Sequence, residues 1–258
     1  MNSDSLRISM LQLDTVWENP AANEFLVKTI ASQLTGKTDI IVLPEMFTTG
    51  FTMNVSAAEN AALLVDKIKQ WSVEFESAFA GSFIAAENGL YYNRAFFATP
   101  KGEVFFYDKR HLFRMAGEER VFTAGEERIV FSYLNWNICL QVCYDLRFPV
   151  WSRNRKNEYD LLIYVANWPI PRIEAWKTLL QARAIENMCF VCGVNRIGQS
   201  PAASFCGSSM IISPKGEIMT DMKQESFSKS ASTIEKSVLE RLRKKFPVWQ
   251  DADSFNLL

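Results

Sequence analysis

Hydrophobic and polar residues alternate over positions 6–13 (LRISMLQL), a period of two that predicts a strand. Asn19 followed by Pro20 reads as an N-cap with proline at the first helical position. Phe25, Leu26, Ile30 and Leu34 then recur at helical spacing, with Gly36 placed to end the helix. The short apolar run DIIVLP predicts a buried strand, and Leu64, Val65, Ile68, Trp71 and Phe75 predict a second amphipathic helix. Strands are expected over residues 79–86, 93–99 and 103–107. The tetrapeptide Pro-Lys-Gly-Glu occurs at 100–103 and again at 214–217, each time between two apolar runs, and predicts two hairpin turns. Residues 129–133 and 136–142 read as a further hairpin, 160–166 as a strand, 172–187 as a helix and 189–194 as the strand after it.

Strands outnumber helices, helices are spaced among them, and several strands read as buried on both faces. This α/β pattern predicts two sheets packed face to face with helices outside. With 258 residues and no linker or low-complexity stretch, the chain reads as one domain, 1–258. Its last stretch, EKSVLERLRKKFPVWQDADSF, begins as a basic helix and ends in an aromatic-bearing tail, about 247–258. That tail is either a docked terminus or a subunit contact through Phe246, Trp249 and Phe255.

Charge narrows the function. The 28 basic and 29 acidic residues nearly cancel, which removes the footprint of a nucleic-acid or anionic-membrane binder and leaves a small molecule as the expected partner. The start lacks a basic segment followed by an apolar one, and no stretch approaches the roughly 20 apolar residues that span a bilayer, so a cytoplasmic protein is expected. Five scattered cysteines read as reduced thiols. The single histidine, His111, leaves most zinc sites short of ligands, so no metal is expected. Cys189 and Cys192 form a C-x-x-C, but strand alternation points them to opposite faces.

Three strand ends carry chemistry. Cys143 closes the apolar run NICLQVC before YDLRFP, where a thiol can face a pocket and the Tyr144 N–H can meet a developing oxyanion. The competing reading is a small buried hydrophobe, which is the reading for Cys139, Cys189, Cys192 and Cys206. Glu45 follows IIVLP directly and is either solvated or, facing the thiol in a dry pocket, a general base. Lys109 ends EVFFYDK and is either a solvated lysine or a fixed cation that polarises a carbonyl and lowers the thiol pKa. His111 offers a Cys-His pair or a structural hydrogen bond, and the second fits a lone histidine at a strand exit better.

These residues resemble a known family. LPEMFTTGF around Glu45, YDKRHLF around Lys109 and VCYDLRFPVW around Cys143 look like the three catalytic blocks of the nitrilase superfamily of carbon–nitrogen hydrolases, in the same order. The likeness continues through YVANWP, RAIEN, GVNRIG and GSSMIISPKGEI, and so covers almost the whole chain. C-Y-D-L-R-F-P with P-E-M-F-T-T-G-F resembles the ω-amidase branch more than true nitrilases, whose nucleophile is typically followed by Trp and Glu. The resemblance implies a four-layer α-β-β-α sandwich of two mixed sheets with outer helices, paired into homodimers. It also implies amide hydrolysis with no metal or organic cofactor, here of 2-oxo dicarboxylic acid monoamides such as 2-oxoglutaramate and 2-oxosuccinamate.

The family's second glutamate falls on Glu118 when Gly125 is the anchor, with Glu119 adjacent, and the resemblance gives it the task of orienting Lys109 and the hydrolytic water. A keto-acid amide needs a cation for its distal carboxylate. Arg147 is the candidate, against an ion pair that merely braces the loop. Phe47, Phe148 and Trp168 adjoin the catalytic turns and are expected as pocket walls, with core packing as their alternative. Alternative functions are another amidase of the superfamily, such as an N-carbamoyl amino acid hydrolase, and a non-catalytic binding module.

Overall fold

The computed structural model describes residues 4–58, 60–222 and 228–254. The first half of the chain builds one sheet. Strand β1 (Ser5–Gln12) leads through helix α1 (Pro20–Ala31) to β2 (Ile40–Val42), and helix α2 (Ala61–Glu74) crosses to β3 (Ala78–Glu87). These strands are parallel, as helical crossovers require, and β4 (Leu90–Ala98) and β5 (Val104–Asp108) then add an antiparallel meander.

The second half repeats the plan. The hairpin β6 (Val130–Tyr133) and β7 (Trp136–Val142) is followed by the short helix α3 (Pro149–Ser152), β8 (Leu161–Ala166), helix α4 (Ile173–Asn187) and β9 (Phe190–Asn195), with β7, β8 and β9 parallel. A small hairpin, β10 (Ile197–Gln199) and β11 (Ser204–Cys206), stands apart from both sheets. Strands β12 (Met210–Ile212) and β13 (Ile218–Asp221) complete the second sheet. Strand β14 (Ser228–Glu235) returns to pair antiparallel with β1, and helix α5 (Lys236–Lys245) follows it. The two six-stranded sheets run β14-β1-β2-β3-β4-β5 and β13-β12-β9-β8-β7-β6.

Side-chain alternation divides the interior into layers. Ile8, Met10, Ile40 and Val42 from the first sheet meet Ile138, Leu140, Leu161, Ile163 and Val165 from the second in a shared inter-sheet core. The opposite face of the first sheet, with Ile41, Phe79 and Phe96, packs against α1 and α2 through Val27, Ile30, Ile68 and Trp71. The outer face of the second sheet packs Leu162, Tyr164 and Val191 against Trp176 and Leu180 of α4. The result is the expected four-layer α-β-β-α sandwich. Cys192 lies in the inter-sheet core and Cys189 in the layer beneath α4, so the C-x-x-C is split between two cores. Both Pro-Lys-Gly-Glu segments are turns, joining β4 to β5 and β12 to β13.

Helix α1 departs from its expected stripe. Phe25 is 74% exposed, while Asn23, Val27, Ile30 and Ala31 are buried. Asn23 turns the helix because its side-chain amide donates to the carbonyls of Val16 and Thr48, both at 2.7 Å, and these bonds need that face inward. The helix stops at Ala31 rather than at Gly36. Hydroxyl bonds from Ser32 to the Thr29 carbonyl and from Thr35 to the Ser32 carbonyl compete with helix continuation, and Leu34 is buried from a turn instead.

Helix α5 leaves the first sheet and fastens onto the second. Arg243 and Lys236 reach the buried Asp160 carboxylate at 2.8 and 3.2 Å, and Arg243 also donates to the Met188 carbonyl at 3.1 Å. Among the described residues no helix is long and apolar enough to cross a membrane. Residues 248–251 of the tail lie against 155–157, Phe246 is exposed, and Phe255 falls outside the described residues.

Gly193 of β9 is where α4 approaches closest. A β-carbon there would stand 2.5 Å from Leu180 Cδ1 and 2.9 Å from Trp176 Cζ2. Gly193→Ala is expected to cost about 1–3 kcal/mol by overpacking. At this chain length the melting temperature should fall by roughly 2–4 °C per kcal/mol, read by thermal circular dichroism.

Candidate active site

The parallel strands of both sheets end on one side of the molecule, the usual place for a site in such folds. Glu45 lies just beyond β2, Lys109 just beyond β5, Cys143 directly after β7 and Asn167 directly after β8. A cavity of about 280 Å³ opens between them, and Glu45, Lys109, Cys143 and Tyr144 line it.

Lys109 is the hub. Its Nζ donates to Glu45 Oε1 at 2.9 Å and to Glu118 Oε1 and Oε2 at 3.0 and 2.9 Å, and all three side chains are 0% exposed. The Asn93 amide bridges the two carboxylates, at 2.8 Å to Glu45 Oε1 and 3.1 Å to Glu118 Oε1. It is aimed by Ser82 Oγ, which donates to Asn93 Oδ1 at 2.9 Å. The Asn167 N–H donates to Glu45 Oε2 at 2.9 Å, and the Phe113 N–H to Glu118 Oε2 at 2.5 Å. Every oxygen of the two buried carboxylates therefore has a donor, as burial demands.

Electrostatics follow from this packing. Burial works against the Lys109 ammonium, but Glu118 and Glu45 outweigh it and its pKa is raised. Glu118 is raised by burial and by Glu45, against the opposing pull of Lys109. Cys143, half-buried at the cavity wall, is pushed well above the ordinary thiol range by burial first and the Glu45 carboxylate second, while Lys109 pulls the other way. The expected lowering by Lys109 is present but outweighed, so the resting group is a neutral thiol.

The nucleophile turn is held from below. Cys143 has φ 44°, a left-handed conformation that costs a non-glycine residue on the order of 1 kcal/mol or more. Buried Asp145 accepts from the Val142 N–H at 3.0 Å, the Tyr107 hydroxyl at 2.8 Å and the His111 N–H at 2.9 Å, and its Oδ1 lies 2.8 Å from His111 Nδ1. One carboxylate thus ties the thiol's turn to the lysine's. His111 serves in this brace, its ring stacked on Phe148 at 3.8 Å, and does not pair with the cysteine.

The remaining expected residues divide. Trp168 and Arg147 line the cavity, the guanidinium 5.2 Å from the centre of the indole. Phe47 does not: it is 0% exposed and packs on Trp71 and Phe96 beneath the first sheet, because its position after Glu45 turns it to the helix layer. Phe148 also falls outside the cavity, held against His111 and Tyr144. Glu119 is exposed, whereas Glu118 holds the ammonium. Gly125 has a physical cause: its N–H donates to the Lys109 carbonyl, and a β-carbon would lie 2.1 Å from the Asp108 carbonyl oxygen. Asn93, Asn167, Asp145 and Arg172, the last also lining the cavity, were not anticipated. Asn167 in YVANWP had the best signal, a polar residue ending an apolar strand.

The model of the family described as carbon–nitrogen hydrolase matches residues 7–244. The chain belongs to the carbon–nitrogen hydrolase family. It is similar to the Omega-amidase YafV of Escherichia coli (strain K12), 43% identical with 98% of each chain covered. The 2-oxoglutaramate amidase of Bacillus subtilis (strain 168) is 31% identical, with 95% of this chain and 96% of that one covered. Among solved structures, a CN-hydrolase superfamily protein from Xanthomonas campestris, with an arsenic adduct in its active site, matches with a TM-score of 0.96 at 39% identity. That match covers 98% of this chain and 99% of the other. As a carbon–nitrogen hydrolase the chain acts on the C–N bonds of amides.

Alkylation of Cys143 by iodoacetamide, followed by mass spectrometry, should keep rising with pH beyond 9, the ordinary thiol value. Glu45→Gln is expected to move this dependence to lower pH by removing a carboxylate that disfavours thiolate. Lys109→Met is expected to move it higher. A wild-type rate that levels off below about pH 8 would contradict the neutral resting thiol.

Proposed function

We propose that this chain is an ω-amidase, hydrolysing the side-chain amide of 2-oxo dicarboxylic acid monoamides such as 2-oxoglutaramate and 2-oxosuccinamate to the 2-oxo acid and ammonia. The observation that carries the reading is the polarity of the cavity. A buried ammonium, the Glu45 carboxylate and a half-buried thiol line it, with the Glu118 carboxylate against the ammonium, and the exposed Arg147 lines it as well. A half-amide has the matching polarity, with an uncharged amide to meet the thiol and a carboxylate to stay beside the guanidinium. The full-length likeness to the omega-amidase and the 2-oxoglutaramate amidase supports the same substrate class.

In this mechanism Glu45 takes the Cys143 proton as sulfur attacks the amide carbon, and Lys109 with the Tyr144 N–H stabilises the tetrahedral oxyanion. Glu45 returns the proton to nitrogen, ammonia leaves, and a thioester remains. The same carboxylate then takes a proton from water, whose oxygen attacks the thioester, and the thiol is regenerated as the acid departs. Glu118 keeps the ammonium in place through both halves. The whole chain serves as one catalytic unit acting in the cytoplasm, and a second copy is its structural partner.

The test is ammonia release from 2-oxoglutaramate, with glutamine, an N-carbamoyl amino acid and a simple nitrile for comparison. Release from the keto-amide that disappears in Cys143→Ala is expected. Preference for the N-carbamoyl compound would overturn the substrate while keeping the nucleophile. Lys109→Met should lower kcat by on the order of a hundredfold or more, as loss of an oxyanion donor does. Arg147→Gln should raise KM for carboxylate-bearing amides, and unchanged selectivity would remove its role.

A further inference from the structure

The buried and half-buried arginines around the core spend their donors on visible acceptors. Arg94 binds Asp108, Arg128 binds Glu158, Arg183 binds Glu186, and Arg243 binds Asp160. Half-buried Arg172 and the exposed Arg147 differ. Both line the active-site cavity, and among the described residues neither guanidinium has an ion pair or a hydrogen-bond acceptor. Each is laid instead against an aromatic ring: Arg147 lies 5.2 Å from the centre of Trp168, and Arg172 lies 5.2 Å from the centre of Phe113. A guanidinium stacked in this way keeps its edge donors available for a planar anion.

The two are also built into one frame. The Trp168 indole N–H donates to the Arg172 carbonyl at 2.7 Å, so the ring beneath the Arg147 guanidinium fixes the Arg172 main chain. Phe113, beneath the Arg172 guanidinium, is the residue whose N–H holds Glu118. Both cations are thereby referenced to the catalytic end of the cavity.

We propose that Arg172 is a specificity-determining residue that, together with Arg147, receives the 2-oxo-carboxylate head of the substrate. This deepens the keto-acid amide reading and rests on it. A simple carboxylate offers two oxygens, which one guanidinium fork satisfies; a 2-oxo acid presents a third acceptor in nearly the same plane, and a second guanidinium gives it a donor. The same pair works against the competing 2-amino acid amide. The α-ammonium of glutamine would stand where the keto oxygen belongs, facing cationic donors with no acceptor to meet it, so discrimination comes from repulsion as well as attraction.

The experiment separates binding from turnover. Cys143 is alkylated with iodoacetamide in the presence of 2-oxopentanoate, which has the keto-acid head and no amide, or of pentanoate, which lacks the keto oxygen. The expected result is protection of the wild type by 2-oxopentanoate. In Arg172→Gln the half-protecting concentration should rise roughly ten- to a hundredfold, as for loss of a hydrogen bond to a charged group, and in Arg172→Lys by less. Protection by pentanoate should change less. The alkylation rate without ligand is measured for each protein and protection is read relative to it, so that a general change in thiol reactivity is not counted as lost binding. In turnover, Arg172→Gln should raise KM for 2-oxoglutaramate more than it lowers kcat and narrow the preference over glutamine. Failure of 2-oxopentanoate to protect the wild type, or equal changes for the two acids, would overturn the assignment. If Arg172-dependent protection holds while 2-oxoglutaramate is not hydrolysed, the proposed activity fails and the binding role of Arg172 stands.

Discussion

An ammonium with no exposed surface must find its compensation inside the protein, and Lys109 finds it in two carboxylates equally withdrawn from water. The desolvation of each ion is worth several kcal/mol, so none of the three is stable there without the others. This mutual dependence shapes what surrounds it. Asn93 and Ser82 on adjoining strands exist in this arrangement to fill the remaining lone pairs, and the backbone after β8 and in the 113–118 turn lends its N–H groups to the same purpose. Two acids against one cation leave the floor with an excess of negative charge when both are ionised. A thiol beside such a floor is held back from ionising at rest.

That excess also bears on the cavity. The Glu45 carboxylate and the Arg147 and Arg172 guanidiniums line the same cavity, so the field along its walls is uneven. Trp168 and Phe113 lie against the two guanidiniums, 5.2 Å from ring centre to each, and limit where they can stand.

Much of this was legible in the chain. Layer order followed from strands such as Leu161–Ala166, apolar at every position, because only a strand covered on both faces has no place for polar residues. Glu45, Lys109 and Cys143 stood out because each interrupts an apolar run at its end, and the structure brings these three strand ends together. What could not be read were contacts that depend on distance in sequence. Asn93 looks like any polar residue in a strand, and its two carboxylates lie 48 and 25 residues away. Asp145 resembles a turn residue until the lysine loop closes on it. Phe47 misled for the reverse reason: adjacency to a reactive turn says nothing about which side of the sheet a ring enters, and its side was set by the helices behind it.

The reacting groups straddle a seam. Glu45 and Lys109 follow strands of one sheet and Cys143 and Asn167 strands of the other, and the largely apolar layer between the sheets is crossed by a few hydrogen bonds, from the Tyr133 hydroxyl to the Asp39 carbonyl, from the Ser209 N–H to Gln12 and from the Tyr107 hydroxyl to Asp145. Strand β14 and helix α5 cross that seam, the strand sewn to β1 and the helix riveted to Asp160 beside β8. Shear between the layers would part Glu45 from Cys143 while leaving each sheet whole. The basic helix, which contributes no wall to the cavity, thus adds its ion pairs at Asp160 to the hydrogen bonds that hold the two separately built halves of the site in register.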